Sequence, residues 1–207
     1  MKLENEQHGI KSIVQLYKEK ESIGTAEITR YEFKDDFLFN IRASRGHPMF
    51  MIKNGIYCRL KINDQLVMSD TGMERYSNIE FITKANGKVL IAGLGLGLIL
   101  HNILNKKNIL EIIVIENNND VIKLVQPKFK DSRLKIINAD IFKWEPKPKE
   151  NFDTIYFDIW PDICTDNLND IQILHNKFKS YLNKNNPNKY MNSWLKEYLQ
   201  HKNRSEY

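Results

Sequence analysis

The pattern of apolar and polar positions divides the chain into two halves of different character. From Asp70 onward, near-continuous apolar runs alternate with segments of helical spacing. KVLIAG, ILEIIVIE, RLKIINAD and FDTIYFD read as buried strands. SNIEFITKA, LGLILHNILNKK and NDVIKLVQPKF read as helices between them. Strands this uniformly rich in Ile, Val and Leu, each followed by a helix, predict a parallel sheet covered on both faces. Before Asp70 the elements are shorter. Residues from about Ile10 to Glu21 carry Ile13, Val14, Leu16 and Tyr17 on a helical spacing, which predicts a short amphipathic helix. TAEITRYEF, FLFNIRAS, MFMIKN and IYCRLKIN then read as strands, with turn signals at Lys34-Asp35-Asp36, Arg45-Gly46-His47-Pro48 and Asn54-Gly55. The last is a two-residue hairpin signal. A tail from Asp166 reads as two helices broken at Asn185-Asn186-Pro187, with the final HKNRSEY frayed.

The expected architecture is therefore α/β: an N-terminal helix and small antiparallel β unit over 1–68, a Rossmann-like core over 69–165, and a helical tail over 166–207. The sheet is expected to be shortened to the strands just named, its edge covered by the tail or by a second copy of the chain. Composition adds exclusions. The 207 residues are 42% hydrophobic and 28% charged, with a mean hydropathy of −0.51. The most apolar run, VLIAGLGLGLIL, spans twelve residues, short of the roughly twenty that a bilayer span needs. The N-terminal MKLENEQHG has no signal-peptide core. Cys58 and Cys164 stand far apart, and the five histidines do not cluster with them; neither a metal site nor a disulfide framework is expected, and a cytoplasmic setting is. The net charge of +5 is compatible with nucleic acid without indicating it. The basic, aromatic tail LHNKFKSYLNKNNPNKYMNSWLKEY is more simply an amphipathic helix pair with a solvated lysine face.

In an open parallel sheet, ligands bind beyond the carboxyl ends of the strands. Each predicted strand here ends in a residue of ligand-binding type. The first is followed by Gly93, Gly95 and Gly97, which serve either a ligand-facing loop or the packing of a strand–helix corner. The second ends in Glu116, about twenty residues on, where an acid accepts hydrogen bonds from a ribose diol. The third ends in Asp140, a partner for an exocyclic amine or the N-cap of a short turn. The fourth ends in Asp158-Ile159-Trp160-Pro161-Asp162. Ahead of the first strand, SDTGMERYSN offers Asp70 and Glu74 as partners for a cation; alternatively Asp70 or Thr71 caps a helix with Glu74 in its first turn. The spacing G-x-G-x-G, with Leu98 and Leu100 where a third dinucleotide-type glycine would stand, departs from the dinucleotide pattern, and no P-loop is present.

KVLIAGLGLG, IIVIE, INAD and FDTIYFDIWP resemble the ordered motifs of class I S-adenosylmethionine-dependent methyltransferases, and the β-rich N-terminal unit is similar to that of the spermidine-synthase-like branch. The resemblance covers roughly Val67 to Pro161. It implies that S-adenosylmethionine is the cofactor, with Gly93, Gly95 and Gly97 along its methionine part, Glu116 on the ribose, Asp140 at the adenine amine and Ile141 against the adenine ring. Asp70 and Glu74 would wall the methionine end. Asp158 takes the place of the catalytic or substrate-orienting acid, with Trp160, Pro161 and Asp162 beside the acceptor. The chain departs from the branch at Ile91, Leu96 and Pro161, where acids are usual. An apolar Leu96 is a poor host for a buried ammonium, so methyl transfer to an amine or similar nucleophile is expected ahead of aminopropyl transfer. A cofactor-binding module without turnover is the third reading.

Overall fold

The computed structural model describes residues 6–7, 9–34, 37–44 and 50–205. The sheet that positions the site has five strands, all parallel. β7 (Gly87–Ala92), β8 (Ile109–Glu116), β9 (Leu134–Asn138), β10 (Thr154–Phe157) and β11 (Tyr190–Ser193) lie in the order β11-β10-β7-β8-β9. Side chains alternate between its faces. Val89, Ile91, Ile112, Val114 and Tyr156 enter one buried cluster, and Leu90, Ala92, Ile113, Ile115, Ile155 and Phe157 enter the other. The first face packs on α3 (Ile79–Lys84), α4 (Leu98–Ile103) and α5 (Asn119–Val125), through residues such as Phe81, Ile103 and Val121. The second packs on α6 (Asn167–Phe178) and α7 (Lys196–Ser205), through Ile171, Leu174, Phe178 and Leu199. The near-continuous apolar strands are thus explained by burial on both faces.

The fifth strand corrects the expectation of a wholly helical tail. YMNS sits between Pro187 and a helix and carries no Ile, Val or Leu, so it lacks the apolar run that marks the other strands. Its pairing is unambiguous: Thr154 to Phe157 lie opposite Tyr190 to Ser193 in parallel register.

A second sheet of four antiparallel strands precedes this core: β3 (Lys20–Ile23), β4 (Ala26–Phe33), β5 (Gly55–Ile62) and β6 (Gln65–Ser69), in that order. The β unit is present, with three local corrections. The segment 10–21 is no helix. After β1 (Glu6–Gln7) pairs with β2 (Ile10–Lys11), a single 3-10 turn at Val14–Leu16 buries Ile13, Val14 and Tyr17, and the chain runs on into β3. One turn suffices to satisfy that apolar spacing because the Tyr17 hydroxyl anchors itself by donating to the Leu96 carbonyl at 2.7 Å. FLFNIRAS is α1 (Phe37–Ser44), not a strand, and it exposes Phe37 and Leu38. Asn54-Gly55 is not a hairpin turn: Gly55 opens β5, whose partner β4 lies on the other side of α1. The two-residue turn is Asn63-Asp64, both with left-handed φ (49° and 63°), joining β5 to β6. Of the other readings, Asp35, Asp36, the 45–49 turn and the last two residues lie outside the described residues, and no strand forms over the described part of MFMIKN.

Between the two sheets runs α2 (Gly72–Ser77). Its Arg75 and the preceding Asp70 are both fully buried, with Arg75 Nη2 3.1 Å from Asp70 Oδ2. Asp70 also accepts from the Cys58 backbone N–H at 2.6 Å and the Ser12 hydroxyl at 3.2 Å, tying the N-terminal segment and β5 to the start of α2. Breaking a buried pair from one side leaves an uncompensated charge. Arg75→Leu is therefore expected to lower stability by about 3–5 kcal/mol, read by urea unfolding at neutral pH.

Candidate functional site

The strand order reverses between β7 and β10: the chain moves one way through β8 and β9 and returns to the other side for β10 and β11. Their carboxyl ends make the crevice where such sheets bind ligands. The two strand ends touch. Gly93 has φ +95°, and a Cβ there would fall 1.9 Å from the Asp158 carbonyl oxygen, so no other residue allows the chain past β10. At Gly95, φ +49°, a Cβ would meet the Met68 sulfur at 2.5 Å, which places β6 directly against the glycine loop. A cavity of about 520 Å³ opens beside these contacts, within the range of small-molecule sites, about 300–1,000 Å³.

Most of the residues singled out in the sequence meet there. Gly93 and Gly95 line the cavity from β7, Glu116 from β8, Asp140 and Ile141 from β9, and Asp158, Trp160 and Pro161 from β10, with Glu74 of α2 facing them. Three do not line it. Gly97 packs under Phe129, whose ring a Cβ would meet at 2.4 Å. Asp70 is committed to Arg75, Ser12 and Cys58. Asp162 is exposed and offers its backbone carbonyl to Asn167. The helix-cap alternative is met in position: Thr71 stands at the N-cap of α2 and Glu74 in its first turn, without a side-chain capping bond. Leu96 is fully buried away from the cavity, its N–H directed to the Met68 sulfur at 3.3 Å. Its apolar character therefore has no bearing on which donor the cavity accepts.

The acids are held in distinct ways. Glu116 is half-buried and braced by backbone donors: Leu94 N–H reaches Oε2 at 2.9 Å and Asn118 N–H reaches Oε1 at 2.8 Å. Burial nevertheless pushes its carboxyl above the usual range. Asp140 accepts from Phe142 N–H at 2.9 Å, so it both caps the following turn and faces the cavity. Asp158 is pushed up to about 7 by burial. Glu74 is pushed well up by burial and then by the charge of Asp158, with a hydrogen bond from the Trp194 side chain working the other way.

Sequence reasoning missed the wall contributed by Met68 and its neighbours on β6, as well as Asp170 and Trp194. Asp170 of α6 accepts from the Trp160 indole at 3.3 Å. Trp194 follows the unrecognised strand β11. The lining thus holds five carboxylates (Glu74, Glu116, Asp140, Asp158, Asp170) and, among the described residues, no Lys, Arg or His.

No family model matches the chain, and no curated protein matches it. Solved structures do. A spermidine synthase from Thermotoga maritima is 18% identical with a TM-score of 0.45, covering 77% of this chain and 52% of that one. The N-methyltransferase NodS from Bradyrhizobium japonicum WM9 is 16% identical with a TM-score of 0.41, covering 53% and 61%. The plantazolicin methyltransferase BpumL in complex with SAH is 19% identical with a TM-score of 0.38, covering 52% and 39%. The chain thus spans about two-fifths of the length of the plantazolicin methyltransferase. Overlaps this partial leave the chain's own strand order and cavity to decide its fold and function. The fold is an α/β unit built on a five-stranded parallel sheet. Its five strands run in the order that places the first and fourth side by side at the crevice.

The raised carboxyl of Asp158 has a consequence for stability. From about pH 4 to about pH 7 the folded chain keeps a proton that the unfolded chain has released, so stability falls as pH rises through that window. Asp158→Asn removes this dependence. Its melting temperature is expected to exceed the parent's by roughly 4–8 °C at pH 8, the response of a domain this size to about 2 kcal/mol, and to match it at pH 4. Thermal scans across that range check both ends.

Proposed function

We propose that this protein is an S-adenosylmethionine-dependent transferase, and that it transfers methyl to an amine or similar nucleophile. The observation that carries the reading is the single cavity in which Glu116, Asp140, Ile141, the Gly93–Gly95 turn and Asp158 meet at the reversal of strand order. The residues fit the cofactor's parts. Each Glu116 oxygen spends one acceptor site on a backbone N–H and has another for a ribose hydroxyl. Buried Ile141 offers an apolar face for the adenine and Asp140 a carboxylate for its amine. The lining carboxylates suit a sulfonium and oppose a phosphate, which favours this cofactor over any nucleotide carrying a diphosphate.

When bound, the cofactor supplies a sulfonium-activated methyl group. The chain's own task is alignment and exclusion of water. Asp158, on the rigid end of β10, is the acid proposed to orient the acceptor or take its proton. Trp160, Pro161 and the Trp194 indole close the cavity around it.

Aminopropyl transfer is the second reading, and one observation favours it: among the described residues no cation lines the cavity to pair with the methionine carboxylate, a group that the decarboxylated donor lacks. Release of methylthioadenosine from decarboxylated S-adenosylmethionine and a diamine would put this reading first; no such product, with methyl transfer observed, removes it.

Saturation with S-adenosylmethionine or S-adenosylhomocysteine at a hundredfold excess over the dissociation constant is expected to stabilise the protein by about 2.7 kcal/mol, read as a rise in melting temperature. Glu116→Ala is expected to abolish the rise. No shift with either ligand in the parent protein sinks the reading.

A further inference from the structure

Glu74 and Trp194, far apart in the sequence, line the same cavity as Asp158. Trp194 is held there from three directions. Its backbone N–H donates to the Phe157 carbonyl at 2.9 Å, directly before Asp158. Its indole N–H donates to the Ser77 hydroxyl at 3.0 Å, on the helix that carries Glu74. Leu195, which follows, has φ +51°, a left-handed conformation that a branched side chain rarely adopts and that persists only where the surroundings over-determine it. The tryptophan is 4% exposed and Glu74 6%. Two carboxylates that repel one another, shut in with aromatic rings and given no cation by the cavity lining among the described residues, leave a place for a positive charge brought by a ligand.

We propose that Glu74, Asp158, Trp160 and Trp194 form an acceptor subsite that admits the nucleophile as a protonated amine, rather than as an alcohol, a thiol or a phosphate-bearing group. This rests on the transferase reading above and narrows it. It also moves Glu74 from the cofactor, where the sequence placed it, to the acceptor. The ammonium is drawn in by the carboxylate pair and the indole faces. One N–H bond then breaks and one O–H bond forms on the Asp158 carboxylate, leaving a neutral amine with a free lone pair and a neutral carboxylic acid. Glu74 remains as an acceptor beside the two N–H groups the amine retains, and Trp194 is a positioning residue that fixes Glu74.

The test uses the full chain saturated with S-adenosylhomocysteine, titrated calorimetrically with butylamine and, as matched probes, 1-butanol and butyrate. Butylamine is expected to bind and the neutral and anionic probes not to. Glu74→Gln should weaken butylamine about tenfold while leaving S-adenosylhomocysteine affinity within about twofold. Trp194→Phe, which keeps a ring and loses the N–H, should weaken butylamine in the same direction with the same spared ligand, which also reports that the variant is folded. Equal binding of butanol or butyrate overturns the proposal. So does a Glu74→Gln protein that loses both ligands in parallel, since Glu74 would then belong to the cofactor. If the parent binds no S-adenosylhomocysteine, the cofactor reading fails first; binding of that ligand with no preference for the amine sinks only the acceptor subsite.

Discussion

The site depends on one close approach. Where β7 and β10 end side by side, the α-carbon of Gly93 lies against the carbonyl of Asp158, with no room for a side chain between them. That contact sets how far the glycine loop stands from the Asp158 carboxylate and so the width of the crevice. It also links the loop to the acid rigidly, because the two ends belong to strands that are paired residue by residue from Thr154–Val89 to Phe157–Ala92. The neighbouring approach, Gly95 under Met68, extends the same constraint to the N-terminal sheet and makes β6 a wall of the cavity. The glycines that drew attention as ligand contacts are therefore first of all conditions for packing, and they serve a ligand because that packing leaves the backbone facing the cavity.

A second constraint is electrostatic. Among the described residues the cavity gathers acids and no bases, while the chain as a whole is basic. Most of the surface charge has no part in the site. The buried acids are stabilised unequally: Glu116 by backbone donors, Asp70 by its arginine, Glu74 and Asp158 by little within the described residues. Only the last pair is left in a state that a bound cation would relieve.

The parallel core was legible because its strands are apolar runs closed by a charged or glycine residue at the carboxyl end; VLIA, IIVI and TIYF leave little alternative. Glu116, Asp140 and Asp158 were found by the same rule, each being the first charged group after an apolar run. The N-terminal half was less legible. FLFNIRAS alternates weakly enough to suit either period and folds as a helix. The Ile10–Tyr17 spacing fits a helix and is met by one turn, because Tyr17 finds a distant carbonyl on Leu96. Asn54-Gly55 advertises a turn that Asn63-Asp64 supplies. Asp70 looked like a ligand and proved to be the partner of nearby Arg75 and of Ser12 and Cys58 farther back in the chain, a set of contacts that no local pattern reveals. Trp194 was hidden because the strand that delivers it, YMNS, ends in polar Asn192 and Ser193 and carries no Ile, Val or Leu.

That short strand has a bearing on how the molecule is made. β11 adds to the free edge of β10, and Trp194 stands at its end. Until the chain has been synthesised past this point, β10 presents an unpaired edge and one wall of the cavity is missing. The glycine turn, Glu116 and Asp140 are all in place well before. A nascent chain would therefore acquire the adenosine end of its crevice first and the enclosed acid pair last, so that enclosure of the reactive corner coincides with completion of the sheet.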